Sequence, residues 1–335
     1  MKLIAETAWH HEGDFKFMEN LVIEICTKTK ADIVKLHITL DLDEYMEKKH
    51  PSYNVINSWL FSKEQWTHLI KIIRKNKKEL MLLVNDLAAI DFAFNFSPEY
   101  IEIHSVCLND IFLLNKLKKH IKTDVKVVLG VGGTSIEEIE YAVNYLEHPN
   151  ILMMFGFQNY PTVYHDINLG KIRRLMKLFS GAEFGYADHT AWDSPQNELI
   201  TLLGAATGVG YIEKHVTTMY GEERTDWSAA ISIKMFRDLA KKVEILEKLE
   251  GDASLAMNQG ELEYSKFGLM KKAAVLKVEV HAGERLTKEK IRFTRTKSLS
   301  DLSQLDVIQS FGVKVTKFLP VGTVLTSKLL QREIG

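Results

Sequence analysis

The chain has 335 residues, 46% of them hydrophobic and 26% charged, and its 43 Lys and Arg nearly cancel 44 Asp and Glu. Such a balance supplies no field that would hold nucleic acid or a membrane surface, and no apolar run reaches the length of a membrane span. Two cysteines, Cys26 and Cys107, give no disulfide framework, and the acid at Glu6 comes too early for a signal peptide, so a cytoplasmic protein is expected.

In chain order, short apolar runs at 3–8, 33–38, 80–85, 100–105, 126–131, 151–157, 183–189 and 211–217 read as strands. Between them lie segments such as 63–75, 136–146 and 167–179, whose apolar residues recur at three and four, as on one helix face. The cluster Lys71, Arg74, Lys75, Lys77 and Lys78 closes one such helix and reads as a solvated end facing the negative pole of the dipole. Cys26 falls in a helical run and reads as core packing, and Cys107 as a packed thiol. Strands alternating with helices imply parallel pairing, and eight such units imply a closed (β/α)8 TIM barrel over residues 1–250, rather than an open doubly wound sheet.

Residues 251–270 are polar, mixed and Gly-containing, and read as a linker. The remainder, 271–335, carries a faint repeat: the stretch 277–291 is echoed by 317–330. Each copy has a strand, a Gly turn (Gly283, Gly322) and a Leu-Thr pair (Leu286-Thr287, Leu325-Thr326) whose Thr is expected to cap a short helix. A small β-rich module fits. Alone it would bury little surface, so it is expected to pack on the barrel or on a partner chain.

Strands seven and eight end alike, in Asp188-His189-Thr190 and Glu213-Lys214-His215. Two histidines one βα unit apart at strand C-termini point to a shared site if those strands are neighbours. Imidazoles there are natural ligands for a divalent metal.

Together these segments resemble the sialic acid (N-acetylneuraminate) synthase family over nearly the whole chain. Ile4-Ala5-Glu6-Thr7-Ala8-Trp9-His10-His11-Glu12-Gly13 is similar to the family opening I-A-E-I-G-x-N-H-x-G, and Val34-Lys35-Leu36-His37 to its V-K-x-Q strand. Asn159-Tyr160-Pro161 stands at its Y-P, Gly185-Tyr186-Ala187-Asp188-His189-Thr190 at G-x-S-D-H-T, and Ile212-Glu213-Lys214-His215-Val216-Thr217 at I-E-K/R-H-F-T. The tail resembles the family's SAF (antifreeze-like) domain, with Arg295 in its K-R-P-G segment.

The resemblance implies condensation of phosphoenolpyruvate with an N-acylated amino sugar to a nine-carbon 2-keto-3-deoxy acid. A divalent metal, Mn²⁺ or Mg²⁺, would activate the sugar aldehyde. It implies a homodimer in which the tail of one chain covers the partner's barrel. By the same resemblance His189 and His215 would hold the metal, Glu6 would act beside it, and Lys35 would hold a substrate carboxylate. Asp226 and Tyr160 would contact the sugar, and Arg295 its N-acyl oxygen. His37, Ser105 and Gln158 complete the substrate contacts. A pairing of Glu6 with Lys35 is the structural alternative for both residues.

Departures gather where the family binds phosphate. Its K-I-G-S is Glu102-Ile103-His104-Ser105 here, its L-S-T-G-M is Leu129-Gly130-Val131-Gly132-Gly133, and its S-T-P-F is Leu83-Val84-Asn85-Asp86. The serine of G-x-S-D-H-T is Ala187, while His10, His37 and Gln158 replace an asparagine, a glutamine and an asparagine. Two alternatives follow: an aldolase or lyase that uses a phosphate-free donor, and a non-catalytic sugar-binding paralogue.

Overall fold

A computed structural model describes residues 1–156 and 159–331. Eight strands form the barrel: β1 (Lys2–Glu6), β2 (Ile33–Ile38), β3 (Glu79–Val84), β4 (Tyr100–Ile103), β5 (Lys126–Gly130), β6 (Ile151–Phe155), β7 (Glu183–Ala187) and β8 (Tyr211–Thr217). Each pairs in parallel with the next, and β1 also pairs with β8, which closes the ring. Strands covered on both faces need apolar residues on both, which is why runs such as Leu80–Val84 lack alternation. A two-residue strand, β9 (Ile231–Ser232), extends the edge of β8.

The helices begin where the sequence supplies a side-chain cap. Asp14 caps Phe15–Lys28, Asp86 caps Leu87–Phe94 and Asp110 caps Ile111–His120, each accepting from a backbone N–H of the first turn. Ser62 with Gln65, and Ser135 with Glu138, form reciprocal capping boxes on Lys63–Lys75 and Ile136–Leu146. The apolar faces of these helices pack on the outside of the strands. Ile4, Ile33, Met81, Tyr100, Val128, Leu152, Met154 and Tyr211 fill the inside as a separate apolar cluster.

The structure corrects several boundaries. The helix expected over 167–179 is two pieces, Tyr164–Ile167 and Leu169–Leu178, separated at Asn168, whose φ of 48° ends one and whose side chain caps the other. Strand β7 stops at Ala187, so Asp188 and His189 lie just past it, although both are buried. The sixth strand ends at Phe155; the rest of its expected span reaches residue 157, which lies outside the described residues, as does Gln158.

Two compact units divide the chain, Met1–Glu250 and Gly251–Gly335. The second carries a helix, Gln259–Tyr264, inside the stretch read as a linker, and an antiparallel pair, β10 (Ala273–Leu276) with β11 (Ile291–Thr294). The bridge Val280–Leu319 joins the two repeat copies, with Val275–Val324 and Arg285–Lys314 beside it, over a core that includes Leu276, Val280, Leu286, Val315, Leu319 and Leu325. Thr287 and Thr326 do precede matching 3-10 turns, but neither side chain makes the expected capping bond. Among the described residues no helix is long and apolar enough to cross a membrane.

Gly130 ends β5 where a Cβ would stand 2.7 Å from the backbone nitrogen of Ser105. Gly130→Ala must therefore push the β4 turn away. The expected cost is about 1–3 kcal/mol, as for other overpacked interiors, read as a lower urea midpoint with an unchanged m-value.

Candidate active site

In a strand, alternate residues face the same side. That rule sends Lys35 and His37 of β2, Glu102 and the following His104 on β4, and Glu213 and His215 of β8 into the barrel. The register then sets Glu6 beside Lys35 on one side and His215 on the other. A cavity of about 300 Å³ opens there at the C-terminal mouth. Glu6, Lys35, His37, Ser105, Tyr160, His189, His215 and Asp226 all line it, together with Glu102, His104, Gly130, Gly132 and Glu213.

Its floor is one cation among three acids. The Lys35 ammonium lies 2.8 Å from Glu102, 3.0 Å from Glu213 and 3.2 Å from Glu6, with all four side chains buried. Burial works against the charge on Lys35, but Glu102, Glu213 and Glu6 together raise it well above its usual range. Burial likewise opposes ionisation of Glu6; Lys35 and His215 outweigh it and hold that carboxyl well below its usual range. For Glu213 burial prevails over Lys35, and the neighbouring Glu6 and Glu102 push it further up. Glu102 is raised by burial as well, against the pull of Lys35. The two carboxyls are thus pushed apart, Glu6 toward its ionised form and Glu213 toward its protonated form.

Above this floor the imidazoles gather. His189 and His215 meet edge to face with ring centroids 4.8 Å apart. His215 lies between Glu6, 3.4 Å from Nε2, and the Tyr160 hydroxyl, 3.1 Å from Nδ1. Tyr160 also donates to the Asp226 carbonyl, and the Asp226 carboxylate accepts the Trp9 N–H at 2.9 Å. Burial raises the Asp226 carboxyl and pushes the Tyr160 phenol up. His189 is held neutral, its pKa lowered to about 3 by burial and by His215. Its Nδ1 faces the Ala187 carbonyl at 3.1 Å, which fixes the proton there and leaves Nε2 as the lone-pair nitrogen. These two histidines fit a divalent metal as imidazole donors. Among the described residues no set of three or more His, Cys, Asp or Glu forms a metal cage. The fit is therefore to a two-imidazole site whose other positions water or substrate would take.

On the outer face of the same strands Lys214 and Asp188 form a fully buried pair at 3.0 Å. Asn197 accepts a second Lys214 bond at 3.0 Å, and Asp188 also takes the Thr190 and Thr201 hydroxyls and the Thr190 N–H. Each partner directly precedes one of the two histidines, so the pair fixes where both imidazoles leave the wall.

Arg295 lies in the second unit, where its guanidinium donates to the Leu269 carbonyl at 2.9 and 2.7 Å. Sequence reasoning named no site role for Glu213. The signal was available, since a residue two before His215 must face the same way.

A polar cavity at the C-terminal mouth of a (β/α)8 barrel is where barrel enzymes carry their chemistry. A model described as the NeuB family matches residues 22–255, and the chain belongs to that family. It is 26% identical to the N,N'-diacetyllegionaminic acid synthase of Campylobacter jejuni over 84% of this chain and 86% of that one. An uncharacterized protein of Methanocaldococcus jannaschii is also 26% identical, over 94% of this chain and 90% of its own. The fold matches that of spore coat polysaccharide biosynthesis protein E of Chromobacterium violaceum, with a TM-score of 0.82 at 19% identity, covering 98% of this chain and 99% of that one.

Two measurements follow. Lys214→Met leaves Asp188 buried and uncompensated and should cost about 3–5 kcal/mol, whereas the double variant Asp188→Leu/Lys214→Met should recover part of it; equal losses in both would show that the pair is not coupled. Second, His10, His37 and His189 are lowered to about 3 and His11 and His104 to about 4, chiefly by burial. Below about pH 6.5 the unfolded chain takes up protons at these imidazoles that the folded chain refuses, so stability falls as pH drops through that value. Glu102, Glu213, Asp226 and Asp86, raised in the fold, act in the opposite direction. The metal-free protein should unfold at lower urea at pH 5.5 than at pH 7.5, by about 1.4 kcal/mol per pH unit for each imidazole left uncompensated. Equal midpoints would mean that the rings are already protonated or open to water.

Proposed function

We propose that this chain is a sugar-acid synthase, joining a three-carbon pyruvyl unit to the aldehyde carbon of an N-acylated amino sugar. The product is a nine-carbon 2-keto-3-deoxy acid. One observation carries the reading: His189, His215, Glu6, Tyr160 and Asp226, which come from distant parts of the chain, converge on one cavity. The 26% identity to a legionaminic acid synthase supports the same product class.

On this proposal His189 and His215 hold a divalent metal, Mn²⁺ or Mg²⁺, which when bound polarises the sugar aldehyde. Tyr160 and Asp226 orient the sugar, and Glu6, ionised and next to His215, places the proton that the aldehyde oxygen gains or loses. Lys35 keeps Glu6 ionised. His37 and Ser105 lie on the donor side. The family's form of the donor is phosphoenolpyruvate, consumed with C–O cleavage and release of phosphate. The second unit is assigned as a SAF module. In a domain-swapped homodimer its Arg295 would reach the partner's sugar site and bind the N-acyl oxygen.

The reading is tested by incubating the protein and Mn²⁺ with N-acetylmannosamine and with 2,4-diamino-trideoxy hexose derivatives. Phosphoenolpyruvate or pyruvate is supplied in each case, and mass spectrometry looks for a sugar heavier by the three-carbon unit. Product that disappears with chelator and in His215→Ala is expected. A folded protein that makes none with either donor would leave only the sugar-binding paralogue. Arg295→Ala should raise KM for the sugar by roughly tenfold with kcat little changed, as for loss of uniform binding.

A further inference from the structure

The donor half of the cavity is built from the ends of β2, β4 and β5: Lys35, His37, Glu102, His104, Ser105, Gly130 and Gly132. Lys35 is the one lysine or arginine among the described lining residues. An ammonium has three N–H donors, and three carboxyls lie within 3.2 Å of this one. Its hydrogen bonds go to the two Glu213 oxygens, and its one positive charge already faces three carboxyls.

The imidazoles do not replace it. His37 accepts from the Asn85 amide at 2.7 Å, an amide that also donates to Thr39, and its ring stands 6.0 Å from that of His104. Burial first, and then His104 beside His37 and Lys35 beside His104, lower His37 to about 3 and His104 to about 4, so both are neutral at physiological pH. With Glu102 and Glu213 both protonated, Lys35 and Glu6 cancel. With both ionised, the floor carries two net negative charges. Neither state offers a free cation. A phosphate monoester beside a carboxylate brings close to three negative charges and needs cations or many donors to leave water.

We infer that the donor this pocket takes is a phosphate-free 2-oxo acid, pyruvate in its simplest form, and that Glu102 is the residue which sets that choice. The inference rests on the proposed carbon–carbon bond formation and names its donor. A single carboxylate asks for less than a phosphate does: the Ser105 hydroxyl and the backbone at Gly130 and Gly132 line the same wall. The chemistry balances without phosphate. A C3 proton of pyruvate passes to the uncharged imidazole of His104, and the resulting enolate forms its C3 bond to the aldehyde carbon. The carbonyl pair moves to oxygen, which takes up one proton. No water is consumed and no phosphate leaves, and the same steps in reverse cleave the product.

The experiment uses the full chain with Mn²⁺ and the sugar acceptor, with pyruvate and phosphoenolpyruvate in separate reactions, reading product by mass and phosphate by release. Product from pyruvate is expected, with no sugar-dependent phosphate release from phosphoenolpyruvate. Glu102→Lys should create such release. Glu102→Gln, which keeps the shape and removes the charge, should raise affinity for phosphoenolpyruvate by roughly tenfold, the effect of one nearby charge. Sugar-dependent phosphate release by the unaltered protein would overturn the inference and leave the synthase reading standing. Product from neither donor would remove both.

Discussion

The interior of this barrel depends on a single ammonium. Lys35 stands among Glu6, Glu102 and Glu213, contributed by four different strands, all buried. An isolated buried ion costs several kcal/mol, and removing one partner of a buried pair leaves the other uncompensated. The four side chains are tolerable only together, and only where the ring has closed in the register that sets Glu6 between Lys35 and His215. Below them lies an apolar plug, and above them lie the imidazoles. The cage thus marks the level at which packing ends and chemistry begins. It also biases the charges, Glu6 toward ionisation and Glu213 toward its protonated form, right beside the histidines.

Much of this was legible in the sequence, because the signals were local. Apolar runs, capping residues and the two Asp-His and Lys-His strand ends each lie within a few residues, and all eight barrel strands follow from them. What depends on closure was not. Glu102 reads as a lost cation when β4 is taken alone; only the ring brings it 2.8 Å from Lys35 and makes it the third acid of a cage. Asn168 shows a local failure of another kind. The apolar period runs on through it, but an asparagine that adopts the left-handed conformation ends one helix and caps the next with its own side chain. In the second unit the repeat of Leu-Thr predicted two matching turns, and the turns form without the threonine hydroxyl, so the pattern carries backbone shape rather than a capping bond.

Strand β8 shows how one short segment serves both sides of the wall. Glu213 and His215 face inward to the cage and the imidazole pair, while Lys214 between them faces outward to Asp188 and Asn197. The outer pair spans β8 and the residue that follows β7, so the two histidines leave strands already held in place by an ion pair that water does not reach. Histidines that start from such elements are held more precisely than ones carried on loops alone.

That division of labour bears on how the two halves of the cavity can change. The half that holds the imidazole pair hangs on β7, β8 and the start of the chain, braced by the Asp188–Lys214 pair and by the contacts of Tyr160 and Asp226. The other half hangs on β2, β4 and β5 and carries His37, Glu102, His104 and Gly130. The two halves meet at Lys35 and Glu6. Substitution on β2, β4 and β5 can therefore alter the charge of that half while the imidazole pair stays in place. It cannot do so freely, because each charge added beside Lys35 also shifts Glu6 and so reaches His215. Glu102 meets that constraint by taking a third position around the ammonium while Glu6 stays below its usual range.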